Sequence, residues 1–137
     1  MDLGAEMLFR RATVKPGSPT CASVLHGVPV LSLSGNPYAA IANFDYYFPP
    51  AAAKLMGCAA LKLEEMDGTA AGHFEKEEPL FRFLEARESG GRVELSAGRQ
   101  KASVISSLRD CNFYLDLPPG ERVHEGDRVR IRRMKGI

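Results

Sequence analysis

The sequence GVPVLSLSGNP, residues 27–37, joins a strand signal directly to a helix signal. Residues 28–33 form an apolar run that predicts a buried strand, in which Pro29 is tolerable only near the start. Asn36 is a good helix N-cap and Pro37 suits the first helical position, so a helix is expected to begin here. A strand that turns directly into a helix is typical of an α/β layer.

The helix that follows is predicted to be amphipathic and to end at Gly57. Its apolar side chains recur at steps of three and four residues and form one stripe: Tyr38, Ile41, Phe44, Tyr47 and Phe48. Pro49-Pro50 is expected to kink or split the helix. Upstream, strands are predicted at Met7 to Val14 and at Cys21 to Leu25, and a His26-Gly27 turn leads into the next strand.

Charge separates the chain into two predicted units, 1–58 and 59–137. Residues 1–58 carry 7 charged side chains, 4 basic and 3 acidic, whereas residues 59–137 carry 28, 14 of each sign. The first unit, with one helix and about three strands, buries too little apolar area to fold as a domain alone. We therefore interpret it as the last part of an α/β domain. It is expected to pack on the second unit or on a partner, or to be completed by the rest of a longer protein.

The second unit is predicted to be all-β. Strands at Leu80 to Ala86 and at Arg92 to Ser96 flank the hairpin signal Glu88-Ser89-Gly90-Gly91. Two further strands are expected at Asn112 to Leu117 and at Asp127 to Met134. This spacing favours a small barrel or sandwich. The predicted fold class is thus an α/β remnant followed by a small all-β, barrel-like C-terminal domain.

Side-chain patterns in the second unit predict which residues face solvent. In the last strand Val129 and Ile131 alternate with arginines that are expected on the charged outer face: Arg128, Arg130 and Arg132. Glu64-Glu65 and the run Glu75-Lys76-Glu77-Glu78 are interpreted as solvated surface.

Composition excludes several classes of function. The 137 residues carry a formal net charge of +1, which gives no field to collect nucleic acid or an anionic membrane. The chain has no Trp, which argues against a platform for stacking nucleic-acid bases. No apolar run reaches the length of a membrane span. Three well-separated cysteines favour reduced thiols in a cytoplasm: Cys21, Cys58 and Cys111. The histidines lack neighbours at metal-ligand spacing, so no metal site is predicted.

Two loops are candidates for anion binding. The turn Ser34-Gly35-Asn36-Pro37 precedes a helix whose positive end favours a phosphate. The rigid loop Lys15-Pro16-Gly17-Ser18-Pro19 can hold an ammonium group toward the same anion. Taken separately, each has a plainer explanation. The first can be simply a well-capped turn between strand and helix, and the second a loop between strands with a solvated lysine. Both lie at strand ends of an α/β layer, where ligands usually bind, and this favours a shared site.

Three ordered stretches carry a family resemblance: VKPGSPT at 14–20, GVPVLSLSGNP at 27–37 and KLMG at 54–57. They resemble the molybdopterin molybdenumtransferases (MoeA and the E domain of gephyrin), which typically read K-P-G-K-P-T, then G-L-P-G-N-P-V-S-A, then K-L-x-G. Later stretches resemble the final β domain of that family: Gly98-Arg99-Gln100, Ser106-Ser107-Leu108, Asn112 and residues 123–129.

The resemblance implies that the chain corresponds to the C-terminal part of such a protein. The family inserts molybdate into adenylylated molybdopterin with Mg²⁺, releases AMP and works as a homodimer. Its acidic residues for metal and adenylate lie upstream, so the resemblance implies that these 137 residues alone are inactive. Lys15 matches the first lysine of K-P-G-K-P, which is expected to contact phosphate or molybdate. Gly35, Asn36 and Pro37 match the G-N-P turn of the pterin-phosphate pocket.

Three positions differ from the family pattern. Ser18 replaces the second lysine of the loop, Ser34 replaces the first proline of P-G-N-P, and Lys101-Ala102-Ser103 stands where the family commonly has G-S-H. The expected function is therefore molybdopterin binding for molybdate insertion in molybdenum cofactor biosynthesis. The alternative is a diverged, non-catalytic module for binding or assembly with the same architecture.

Overall fold

A three-stranded sheet, one long helix and a β-barrel follow one another in the computed structural model, which describes residues 4–96 and 105–135. The elements in chain order are β1 (Glu6–Phe9), β2 (Val14–Lys15), β3 (Cys21–Leu25), β4 (Val28–Ser32), α1 (Pro37–Met56), β5 (Glu65–Ala71), β6 (Phe81–Ser89), β7 (Arg92–Leu95), β8 (Phe113–Leu117) and β9 (Arg128–Arg133). Short 3-10 helices occupy Ala59–Leu61 and Ile105–Asp110.

The first sheet has the strand order β1-β3-β4 and is antiparallel throughout. β3 and β4 form the predicted hairpin, which closes at the Leu25–Val28 pair through His26 and Gly27, both at positive φ. The prediction that the strand at residues 28–33 is buried is wrong, because in β4 Val28 is 61% and Val30 is 37% exposed. An apolar run specifies a strand, but its burial depends on a covering layer that the described residues do not supply.

Helix α1 begins and ends where the sequence predicts. The Asn36 side chain accepts a hydrogen bond from the backbone N–H of Ala39, and Gly57 ends the helix with a left-handed φ of 64°. The helix continues through Pro49-Pro50, so the predicted split is absent.

The predicted apolar stripe of α1 is only partly right. Tyr38 is buried, but Phe44 and Phe48 are 40% and 47% exposed and stack on each other with ring centroids 4.6 Å apart. The buried face instead follows smaller and polar side chains: Ala39, Ala42, Asn43, Asp45, Pro49, Ala52 and Ala53. Small residues let the helix approach its neighbours closely, a property that hydrophobicity alone does not reveal.

The remaining strands close into a five-stranded barrel. Neighbours follow the order β6-β7-β5-β9-β8, and a further pairing between β8 and β6 closes the ring. Strand β2 from the first unit adds in parallel to the start of β6. The small barrel and its β6–β7 hairpin, in which Ser89 pairs with Arg92, confirm the expected fold class.

Strand β5 was not predicted, and Glu65 therefore belongs to a strand rather than to a featureless surface segment. Its sequence EMDGTAA contains few residues that favour strands. It forms because β7 and β9 offer hydrogen-bonding edges on its two sides. A Cβ at Gly68 would overlap the Val93 side chain, so the close approach of β5 to β7 at this point requires glycine.

Two apolar cores support this arrangement. One fills the barrel with side chains from its strands, among them Leu84, Val93, Leu115 and Ile131. The other lies between α1 and the outside of the barrel: Ala12, Val14, Tyr38, Ala42, Phe83, Leu108, Tyr114 and Met134. The helix and the barrel thus pack directly on each other, and the proposed unit boundary near residue 58 remains a prediction.

Strand β9 departs from its predicted alternation at one position. Val129 and Ile131 point into the barrel, and Arg128 and Arg130 are exposed, as expected. Arg132, predicted on the solvated outer face, is only 1% exposed. It does lie on the outer face, but helix α1 covers that part of the barrel.

Arg132 is held by one carboxylate and three aromatic rings. Its Nε and Nη2 donate to the two carboxylate oxygens of Asp116 at 2.9 and 3.0 Å. Its guanidinium carbon lies about 5 Å from three ring centroids, those of Tyr46, Phe83 and Tyr114. Because Tyr46 belongs to α1 and the other residues to the barrel, Arg132 links the helix to the barrel.

Candidate functional site

The loop Lys15–Ser18 is held in shape by hydrogen bonds within its own neighbourhood. The Ser18 hydroxyl donates to the backbone oxygen of Val14 at 2.6 Å. The backbone N–H of Thr20 donates to Gly17 O at 2.9 Å, and that of Ala12 donates to Ser18 O at 3.0 Å. The Lys15–Pro16 peptide bond is cis. The loop therefore has a defined backbone that presents Lys15 at one end.

Asn43, in the second turn of α1, connects this loop to the helix. Its side-chain nitrogen donates to Pro16 O at 2.9 Å and to Ala39 O at 2.7 Å. Gly17 has a φ of 99°, and a Cβ there would overlap the Asn43 side chain. Glycine is thus required at position 17 for backbone conformation and for close approach.

The predicted turn at residues 34–37 lies at the start of the same helix. The Ser34 hydroxyl accepts a hydrogen bond from the backbone N–H of Asn36 at 3.3 Å, and Asn36 caps Ala39 at 3.1 Å. Ala39 thus bonds Asn36 through its N–H and Asn43 through its carbonyl. The structure brings both predicted loops together over the first two turns of α1.

The Lys15 side chain ends on a carboxylate that the sequence did not single out. Its Nζ lies 3.3 and 3.2 Å from the two oxygens of Glu78, and Arg82 and Lys76 approach the same carboxylate at 2.6 and 2.9 Å. Glu78 is only 8% exposed, so its interpretation as solvated surface is wrong. The reason is tertiary, because Lys15 is 63 residues away in sequence.

The electrostatics of this cluster keep Glu78 ionised. Burial alone raises the pKa of Glu78, but hydrogen bonds from Lys76 and Lys15 and the charge of Arg82 outweigh burial. The pKa of the carboxyl therefore lies below its usual range. Lys15 remains 45% exposed, so Glu78 orients its ammonium group without removing it from solvent.

Strand pairing connects this cluster to the strand that helix α1 contacts at its start. Lys15 on β2 is the register partner of Arg82 on β6. One residue along β6, Phe83 O accepts a hydrogen bond from the Tyr38 hydroxyl in the first turn of α1, at 3.3 Å. Burial, followed by the negative charge of Glu85, raises the pKa of Tyr38, which therefore stays a proton donor. The pairing thus connects both the cation cluster and the first turn of α1 to strand β6.

Several residues from the sequence analysis lie outside the described residues: Gly98, Arg99, Gln100, Lys101, Ala102 and Ser103. Ser106 and Ser107 lie in the second 3-10 helix. Within residues 4–96 and 105–135, no group of three or more His, Cys, Asp or Glu side chains is arranged to hold a metal ion. In the same residues, no helix is long and apolar enough to cross a membrane.

Comparison with known proteins identifies sequence relatives of this chain. The chain is 31% identical over 124 residues to a molybdopterin molybdenumtransferase of Staphylococcus epidermidis and 29% identical over 121 residues to one of Staphylococcus aureus. These alignments cover 88% and 86% of this chain. These relatives support the interpretation of the chain as a C-terminal fragment of the molybdopterin molybdenumtransferase (MoeA) family. The chain spans about 30% of the length of these relatives, and no family model matches it.

Solved structures show that this chain has the fold of the C-terminal region of MoeA. A molybdopterin biosynthesis MoeA protein from Pyrococcus horikoshii superposes with a TM-score of 0.80 at 22% identity. The match covers 97% of this chain and 33% of that one. A molybdenum cofactor biosynthesis protein from Pyrococcus furiosus gives a TM-score of 0.78 at 24% identity, over 94% of this chain and 46% of that one.

Proposed function

We propose that this chain supplies part of a molybdopterin-binding site for molybdate insertion in molybdenum cofactor biosynthesis. The observation that carries the proposal is the convergence of the Lys15–Ser18 loop with the capped start of α1 through Asn43. The ligand is molybdopterin or its adenylylated form, and its acidic phosphate is the group that these elements recognise. We place the site at residues 15–18 and 34–37.

The chemistry of the cluster supports a phosphate ligand. A phosphate carries up to two negative charges and accepts several hydrogen bonds, which matches an exposed ammonium group beside a helix N-terminus. Glu78 fixes Lys15 in one orientation, and Arg82 lies next to it in the sheet. A ligand phosphate at Lys15 replaces water rather than a buried partner.

The rest of the family reaction belongs to the proposal as well. Molybdate is a substrate, Mg²⁺ assists the reaction, and the complete protein works as a cytoplasmic homodimer. The described residues do not fit a magnesium site, because they contain no suitable cluster of carboxylates. We therefore assign no step of the reaction to metal held by this chain, and we expect these 137 residues alone to be inactive.

Molybdopterin binding tests the proposal directly. The Lys15→Ala variant of the full-length parent should bind molybdopterin about tenfold more weakly, because a charge-assisted hydrogen bond contributes roughly 1.5 kcal/mol. Lys54→Ala is the matched control, since this exposed lysine lies in the last turn of α1, about 26 Å along the helix from its first residue, Pro37. Equal affinities for the wild type and Lys15→Ala would remove Lys15 from the site.

One observation favours a second candidate, a non-catalytic module for binding or assembly. The exposed large apolar side chains concentrate in the first 56 residues: Met7, Leu8, Val28, Val30, Phe44, Phe48, Leu55 and Met56. A contiguous exposed apolar patch marks a contact with other protein, and in this set the exposed rings of Phe44 and Phe48 stack on each other. Molybdate incorporation by the intact parent separates the two candidates, because measurable turnover rejects a function in binding alone.

A further inference from the structure

Asn43 is fully buried and uses both of its side-chain N–H groups. Its Nδ2 lies within 3 Å of two carbonyl oxygens, Pro16 O in the loop and Ala39 O in the helix. A single nitrogen that donates to both fixes the distance between these two backbone segments. Neither a carboxylate nor a hydroxyl of similar size offers two donors from one atom.

The neighbouring contacts show that the loop is fitted to this carboxamide. Gly17 packs against Asn43 so closely that any side chain at position 17 would collide with it. Asn43 Oδ1, in contrast, is buried without a hydrogen-bond partner in the described residues. A polar side chain that leaves its acceptor unsatisfied loses stability, so packing stability alone does not explain an asparagine here.

We propose that Asn43 is a positioning residue that acts through Lys15. Its carboxamide holds the loop at a fixed height over α1, and this sets where the Lys15 ammonium lies relative to the capped helix start. Asn43 touches no ligand in this account. The inference rests on the proposed function for the identity of the ligand, but the positioning of the loop can be measured without any ligand.

Hydrogen exchange of the ligand-free protein tests the positioning itself. Asn43→Asp keeps the shape but removes both donors, and Asn43→Leu does so without adding charge. In both variants the backbone amide hydrogens of Thr20 and Ala12 should exchange with solvent at least tenfold faster than in the wild type. These amides donate to Gly17 O and Ser18 O in the loop. Unchanged exchange in both variants would overturn the inference, whatever the ligand proves to be.

Molybdopterin affinity in the full-length parent tests the connection to Lys15. Asn43→Leu should weaken binding about five- to tenfold in the wild type, but less than twofold when Lys15 is already alanine. Ala42→Gly is the matched control: this neighbouring, fully buried helix residue contributes to folding but does not bond the loop. It should lower the melting temperature and leave affinity unchanged.

The outcomes separate the two proposals. If Lys15→Ala has no effect on affinity while Asn43→Leu still accelerates exchange, the proposed ligand site is wrong and the positioning is supported. If Lys15→Ala weakens binding and Asn43→Leu weakens it equally in the presence and absence of Lys15, then Asn43 does not act through Lys15 and the inference fails.

Discussion

Replacing Arg132 by methionine tests the buried ion pair that lies under helix α1. Methionine keeps much of the apolar stem but removes the charge that pairs with Asp116 at 2.9 and 3.0 Å. Asp116 would then face the interface without its partner, at a side-chain exposure of only 19%. Breaking one half of a buried ion pair costs about 3–5 kcal/mol, and we expect a loss of about 3 kcal/mol.

Arg130 provides a matched control on the same strand. It pairs with Glu65 at 2.9 Å, a distance similar to that of the buried pair, but its side chain is 72% exposed. Exposed ion pairs contribute about 0–1 kcal/mol, so Arg130→Met should be nearly neutral. Urea unfolding followed by far-ultraviolet circular dichroism measures both variants. Equal losses in the two variants would refute the argument that burial makes the Arg132–Asp116 pair important for stability.

The pH dependence gives an independent check on the same substitution. Burial raises the pKa of Asp116, and the hydrogen bonds and charge of Arg132 act in the opposite direction. Removing Arg132 leaves burial unopposed, so the folded-state pKa rises further above the unfolded value. A carboxyl with a raised pKa takes up a proton on folding, and stability therefore falls as the pH rises through that pKa. The stability lost in Arg132→Met should be smaller at pH 5 than at pH 7.

Three further predictions concern the candidate site. Asn36→Ala removes the cap of α1 and should cost about 1 kcal/mol in urea unfolding, whereas Ala40→Ser, one turn later, should cost about half that or less. Gly17→Ala forces a side chain into Asn43 at a φ of 99°, and its melting temperature should fall below that of Gly27→Ala, where a Cβ meets open space. The wild type should lose stability as the pH falls from 4.5, the unfolded pKa of Glu78, through the lower pKa of the folded state. Glu78→Gln should abolish this part of the acid sensitivity, as measured by the free energy of unfolding at a series of pH values.

Local signals determined much of this protein. The cap at Asn36 and the stop at Gly57 fixed both ends of α1, because capping depends on residues adjacent in sequence. The Gly90-Gly91 turn likewise fixed the β6–β7 hairpin, since both glycines adopt the positive φ that a tight turn needs. The loops at 15–18 and 34–37 were recognisable for the same reason, as short motifs with their own backbone chemistry.

The tertiary structure alone decided which charged and polar side chains are buried. Glu78 resembles a surface carboxylate in sequence, but in the fold it is buried and pairs with Lys15, which is 63 residues away, as well as with its sequence neighbour Arg82. Arg132 follows the outward alternation of its strand and is nevertheless enclosed, because α1 lies over that face. Burial depends on what packs against a residue, and that neighbour is set by chain segments far away in sequence.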